Sequence, residues 1–525
     1  MRVSIHLSVR CAASPREYEP IPQLLTFFVP VLAASLAAPG AADGPAEQAT
    51  RAAIGRVQQI DQSIHAVIAL DPTAIEQARR VDASGSHGPL AGVAVLIKDN
   101  IEVAGPLPTT AGSLALATNV TNRDAPLVAR LRKAGAIILG KTNLSEWANI
   151  RSTHSISGWS AVGGQTRNPY ALDRNPCGSS SGSGAAVAAG EVDYAIGTET
   201  DGSITCPASV NGIVGFKPTV GLVSRTYVVP ISASQDTPGP MTRTVQQAAA
   251  LLSVIAGSDP ADSATRQADA HRVNFVEALN PRSLRGSRLG VLRFASTDQL
   301  NPAFEAALAV LRTQGATLIE IKKFDDKAIG DNEGKVLNTE LKVGLNAYLA
   351  TTPPSVKSRT LAQIIAFNKT HAGQEMALFE QETFIDAEKT KGLADPAYKV
   401  ARSKSLAAAG INGIDKLIAA NKLDALVGPT AGPSWKIDAV NGDQFSGGGA
   451  GSLAAVAGYP HLTVPMGTVR GLPVGLSFMG GKWSDARILS LGFAYEQASH
   501  RVVRPHFLPS IEGTPPVAEQ LQPQR

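Results

Sequence analysis

The chain has 525 residues, 44% of them hydrophobic and 18% charged, enough apolar matter for a large core and not the composition of a disordered or fibrous protein. Its 48 basic and 44 acidic residues leave a net charge of +4 with no long run of one sign, which argues against nucleic acid as a partner. Three cysteines, Cys11, Cys177 and Cys206, make no disulfide framework, and no Cys/His cluster has zinc-site spacing, so neither a metal nor a cofactor is expected.

Arg2, Arg10 and Arg16 precede an apolar run from Leu24 to Ala38, followed by "PGAADGPAEQ", the order of a secretory signal with a small-residue cleavage region. The run contains Pro30 and is shorter than the roughly 20 residues a membrane span needs, so stable membrane insertion is not expected. Residues 1–43 are read as a signal peptide or a disordered leader. The protein is then periplasmic or secreted in the first case and cytoplasmic in the second.

From Pro45 to Asp82 the spacing of Ile54, Val57, Ile60, Ile64 and Val67 predicts helix. From Leu90 the pattern changes: "GVAVLIKDN" is a buried strand ending in charge, "DAPLVARLRKAGAIILGKTN" reads helix, glycine stop, strand, and "EVDYAIGTETDGS" reads strand, then loop. Alternating strands and helices predict an α/β fold with a central mixed sheet. Residues 335 to 425 predict a helical cap-like segment, "LDALVGP" and "HLTVPMGTVRGLPVGLSFMG" return to strands, and "PSIEGTPPVAEQLQPQR" reads as a flexible tail. The expected organisation is one domain over 44–508 and a tail over 509–525.

Residues 135–142, "GAIILGKT", match the phosphate-loop expression letter for letter, but the four intervening residues form a strand and leave no free amides to wrap an anion. The stretch "NPCGSSSGSGAAVAAG", residues 175–190, contains G-x-S-x-G with Ser180 in the middle; a nucleophile elbow there needs a preceding strand, which "TRNPYALDRNPC" does not offer, and a base from His271, His371, His461 or His500. The alanines after the serines predict a closely packed helix with the hydroxyls held at its N-terminus. A second stretch, "GTETDGSITCPASVNG" from Gly197, is a turn of small residues whose amides suit an oxyanion. Cys177 and Cys206 flank these two stretches and are read as buried free thiols.

In this order, "GVAVLIKDN", "GSSSGSGAAVAAG" and "GTETDGSITCPA" resemble the amidase signature family, and the resemblance continues through "AGAIILGKTNLSEWA", "GFKPTVGLVSRT", "LDALVGPT" and "AGYPHLTVPMG", from about residue 55 to 500. "GTETDGSI" and "GGQTRNPY" look most like its peptide amidase branch. The resemblance implies a single α/β amidase-signature domain and a Ser, cis-Ser, Lys catalytic unit. Carried over by position, Ser203 is the acyl-forming nucleophile, Ser179 after Gly178 the bridging serine, Lys98 the base and Ser180 a hydrogen-bonding support. The backbone of Thr200, Asp201 and Gly202 forms the oxyanion hole.

The lysine has its own physical sense: carried by "GVAVLI" into a dry interior, its ammonium is disfavoured and a neutral amine becomes available. Two positions depart from the commoner pattern, Asp201 where glycine is usual and Thr205 where arginine is usual. Asp201 beside an oxyanion points away or binds a donor on the substrate. Tyr227 is read as a gap filler, Asp236 with Arg243 as a structural ion pair, and Tyr348, Phe367 and Phe379 as a cleft wall. The expectation is a monomeric amide hydrolase that releases ammonia from small amides or amidated peptides. Its rivals are a glutaminase-type amidotransferase component that feeds ammonia to a partner enzyme and a Ser-His-Asp esterase using Ser180.

Overall fold

Eleven strands form one sheet in this computed structural model, which describes residues 43–85, 88–445 and 447–522. The amino-terminal segment read as a signal lies outside the described residues. In chain order the strands are β1 (Val67–Leu70), β2 (Ala94–Lys98), β3 (Ile137–Thr142), the two-residue pair β4 (Trp159–Ser160) and β5 (Gly164–Gln165), β6 (Tyr194–Glu199), β7 (Val214–Lys217), β8 (Thr237–Thr242), β9 (Arg288–Leu292), β10 (Thr317–Ile321), β11 (Ala425–Pro429), β12 (His461–Val469) and β13 (Leu472–Met479). The large sheet runs β1-β3-β2-β6-β8-β7-β12-β13-β11-β9-β10, and β4 and β5 pair only with each other. It is mixed: β2 is parallel to both β3 and β6, β9 is parallel to β10 and β11, and the remaining pairs are antiparallel.

Strands such as Ile137–Thr142, with every residue buried, carry continuous apolar runs because both faces of the sheet are covered. Helices Pro126–Lys133, Val245–Ile255, Asn301–Thr313 and Asp485–Ser499 supply one large core, which includes Val95, Ile97, Phe216, Leu252, Phe304 and Phe478. The helix Ser181–Ala189 belongs to a second core with Leu96, Ile137 and Ala195. That helix lies against the sheet so closely that a Cβ at Gly182 would come within 2.2 Å of the Ala66 carbonyl oxygen. Two glycines inside a helix each cost about 0.5–1 kcal/mol relative to alanine, and contact with backbone on the other side is what requires them.

Between Pro45 and Asp82 the helical expectation is corrected. Helices Pro45–Ile64 and Ala74–Ser84 are separated by β1, because Val67 to Leu70 pair antiparallel with β3 and cover its outer edge. The cap-like segment is helical, its main members Lys327–Ala350, Leu361–Thr370 and Pro396–Ala409. From 509 onward the expected loose end carries instead a 3₁₀ turn, Ile511–Gly513, and a helix, Pro515–Leu521. Glu512 anchors it through Arg174 at 2.6 Å and Lys436 at 3.2 Å, while Ile511 packs into the second core.

Candidate active site

Strands β2 and β6 are parallel neighbours, so their carboxyl ends open on the same edge, the place where α/β sheets present ligand sites. Lys98 is the last residue of β2 and has no exposed surface. Its Nζ donates to Ser179 Oγ at 2.8 Å, Ser180 Oγ at 3.0 Å and Thr198 Oγ1 at 2.9 Å, with the Thr198 carbonyl at 3.3 Å. No carboxylate among the described residues touches it. Burial pushes the amine down to about 7, against the opposing pull of Asp236 and Glu199.

The serines arrive from a different direction. After Cys177 the Gly178–Ser179 peptide is cis, and the helix starts at Ser181. Ser180 is held on three sides: its hydroxyl donates to the Thr198 carbonyl at 3.0 Å, accepts from the Thr198 N–H at 3.2 Å and accepts from Lys98. Its own N–H donates to the Ser203 carbonyl at 3.1 Å, which locks the two serine-bearing stretches together. No histidine reaches Ser180. His461 bonds Ser477 at 2.6 Å, and burial pushes it down to about 3; His271 stacks on Trp483 and His371 on Phe367. The esterase arrangement is therefore absent among the described residues.

Ser203 lies in the turn that leaves β6. Gly202 has φ +75°, a left-handed conformation that favours glycine and turns consecutive amides toward one side. The N–H groups of Asp201, Gly202 and Ser203 meet no protein acceptor among the described residues. Glu199 fixes the turn from beneath: its Oε2 accepts the N–H groups of Ile204 at 2.8 Å and Thr205 at 2.9 Å, so one carboxylate ties the end of β6 to the start of the helix Thr205–Val210. Thr200 hydroxyl donates to Asp236 at 2.6 Å.

Cys177 and Cys206 form a disulfide, with Cα atoms 6.0 Å apart, which corrects the reading as free thiols. The two stretches they flank converge at the sheet edge, so cysteines 29 positions apart in the chain become neighbours. Asp236 and Arg243 do not pair: Asp236 accepts from Thr200, Ile231 and Ser232, whereas Arg243 faces Asp193 at 3.8 Å. Tyr227 lies under the Arg123 guanidinium, 4.1 Å from its ring centre.

A cleft of about 580 Å³ opens over Ser203, lined among others by Asp201, Leu337, Thr430, Phe445 and Ser452. No lysine or arginine among the described residues lines it. Tyr348, Phe367 and Phe379 are not in its wall. Tyr348 is buried and bonds Asn119, Phe379 packs on Trp159, and Phe367 on His371; the cap segment contributes Leu337 instead. A larger hollow of about 920 Å³, between Pro89, Tyr194 and Arg272, contains none of these groups.

A mixed sheet with a buried amine and two converging serine stretches defines the class. The amidase family model matches residues 48–489, and the chain belongs to the amidase signature family, enzymes that hydrolyse amide C–N bonds. The native peptide amidase of Stenotrophomonas maltophilia superposes with a TM-score of 0.84 at 49% identity, covering 88% of this chain and 95% of that one. A probable amidase of Arabidopsis thaliana is 42% identical over 460 residues, 84% of this chain and 85% of the relative. A glutamyl-tRNA(Gln) amidotransferase component of Symbiobacterium thermophilum is 34% identical over 485 residues, 88% and 95% of the two chains.

Reading the sequence alone misses Thr198, Glu199 and Gln235, whose positions matter only through contacts with Lys98 and the Ser203 turn. One signal was there to use: an acidic residue five and six positions ahead of the first N–H groups of a helix is spaced to receive them.

Proposed function

We propose that this amidase works through Lys98, Ser179 and Ser203 and releases ammonia from the C-terminal amide of peptides. The observation that carries the reading is the contact of an amine with no exposed surface, held near neutral, with Ser179 at 2.8 Å. Neutral Lys98 takes the proton of Ser179 as Ser179 takes that of Ser203, and Ser203 Oγ attacks the amide carbon. The free amides of Asp201, Gly202 and Ser203, with Thr200 at the head of the turn, receive the oxyanion; one such donor is typically worth about 3 kcal/mol. The C–N bond breaks as Ser179 returns a proton to the leaving nitrogen. Water then adds to the acyl-enzyme by the same path, and the acid leaves.

The peptide reading is supported by the likeness to peptide amidase and by the cleft itself. With no lysine or arginine in its wall, the cleft offers no partner for the free α-carboxylate of glutamine, which counts against a glutaminase role. We also read the amino-terminal pattern as an export signal; the Cys177–Cys206 disulfide is the chemistry of an oxidising compartment. The test is ammonia release by the purified chain from amidated peptides, glutamine, asparagine and aryl amides. Peptide amides should be cleaved and glutamine spared, with Ser203→Ala inactive on all. Glutamine as the preferred substrate overturns the reading.

A further inference from the structure

Two carboxyl groups, one of them in the cleft wall, stand together with no basic partner among the described residues. Asp201, two residues before Ser203, is partly exposed on the cleft wall, and its Oδ2 accepts from the Ser452 hydroxyl. Its carboxyl also hydrogen-bonds that of Glu333, which projects from the helix Lys327–Ala350. Gln235 steadies the pair, its Nε2 donating to Glu333 Oε1 at 2.8 Å and to the Thr200 carbonyl at 3.2 Å. The charges acting most strongly on Asp201 are themselves carboxylates, Glu333 and Glu199.

Two carboxylates cannot hydrogen-bond without a proton between them, because neither has a donor. Removal from bulk water pushes Asp201 well above the usual carboxylate range, with Glu333 adding to it, and Glu333 is raised for the same first reason. A contact between the two carboxyl groups therefore holds a proton between them. With Gln235 bound to Glu333, Ser452 bound to Asp201 and no described lysine or arginine in the wall, Asp201 is the member of the pair that lines the cleft.

The geometry of an aminoacyl unit says what fills it. In an extended residue the N–H and the C=O point to the same side, which is why one residue can exchange both bonds with a single partner across a sheet. A substrate carbonyl seated on the amides of residues 201–203 presents its own residue's N–H beside that nest, and the side chain of Asp201 stands on the residue that supplies part of the nest. Resting on the peptide-amide reading above, we propose that Asp201, held by Glu333, is the specificity-determining acceptor for the N–H of the residue that bears the scissile amide. The substrate class is then α-acylamino amides, in preference to aliphatic or aryl amides that lack this N–H.

The experiment compares N-acetylphenylalaninamide with the analogue in which the N–H is replaced by an ester oxygen, by ammonia release. The wild type should favour the N–H substrate by about 10-fold or more in kcat/KM, the worth of one well-made hydrogen bond whose acceptor would otherwise be left unpaired. Asp201→Ala should bring that ratio to within a few-fold of one, whatever its absolute rate, chiefly by raising KM for the N–H substrate. Should Asp201→Ala fail to fold, Asp201→Asn should still lower the ratio several-fold, whereas Glu333→Gln, which keeps a donor toward Asp201, should preserve it. A wild-type ratio near one, or a ratio unmoved in Asp201→Ala or Asp201→Asn, overturns the inference while ammonia release leaves the amidase reading standing. Release from neither substrate by the wild type overturns both.

Discussion

Two buried lysines on adjacent strands meet opposite fates. Lys141 of β3 lies beside Ile97 in register, one position from Lys98 of β2, and both are shut off from water. Lys141 contacts Asp99 at 2.7 Å and Thr109 at 3.0 Å, a charged pair whose second member is equally buried. Among the described residues Lys98 contacts only hydroxyls and a carbonyl. Burial disfavours a lone ammonium, and the neutral oxygens around Lys98 do not offset that, whereas Lys141 has a carboxylate in contact. The same residue type thus sits in an ion pair on one strand and among neutral oxygens on the next, where we propose that it serves as the base. A third, Lys217 at the end of β7, is pushed down to about 8 by burial, yet among the described residues its amine bonds the Pro218 carbonyl at 3.1 Å and no serine.

The sharpest way to break this contrast is to remove the proposed chemistry while keeping the fold. Ser203→Ala should lower kcat by at least about 10⁴-fold, and Lys98→Met by about 10² to 10⁴, the range of general-base contributions, with circular dichroism unchanged. Wild-type kcat/KM should rise through about pH 7, because below it Lys98 holds a proton and has no lone pair to accept one; in Lys98→Met that limb should vanish. A folded value below the ordinary 10.5 also means that the unfolded chain binds the extra proton between those two values. The Lys98 contribution to stability should then increase with pH across that window, measured as the denaturation midpoint of wild type against Lys98→Met.

Lys141→Met should invert the pattern. It strands Asp99 in the interior and should cost about 3–5 kcal/mol in urea unfolding, while the activity per folded molecule keeps its pH profile. Smaller again, the double variant Cys177→Ser with Cys206→Ser frees a 29-residue separation and should cost about 2–4 kcal/mol of stability, with a modest fall in kcat as the two serine stretches loosen. Ser180→Ala should cost least, about tenfold in kcat, since Lys98 keeps Ser179 and Thr198; a loss as deep as that of Ser203→Ala contradicts the assignment of Ser180 as a support.

Much of the sheet was legible because fully buried strands are written as unbroken apolar runs, as in "GVAVLI" and "GAIILG". The strand β8, "TPGPMT", was not, since two prolines argue against a sheet interior. It is tolerated because β7 pairs only with Met241 and Thr242, which leaves the proline end without a ladder on that side. The supposed ion pair of Asp236 failed for a related reason: the nearest charged residue in sequence is not the nearest donor in space, and Thr200, Ile231 and Ser232 were closer.

What the sequence determined unaided was the alternation of strand and helix, the lysine at the end of an apolar strand, and two small-residue stretches able to bring hydroxyls and amides to one edge. These are local matters of periodicity and side-chain size, fixed within a dozen residues. Only the tertiary structure decided which oxygens face Lys98, that Cys177 meets Cys206, and that the carboxyl of Asp201 meets that of Glu333, 132 positions away on the cap helix. Hydrogen bonds and charges act over a few ångströms, and the partners that set them come from segments that meet only when the sheet is assembled.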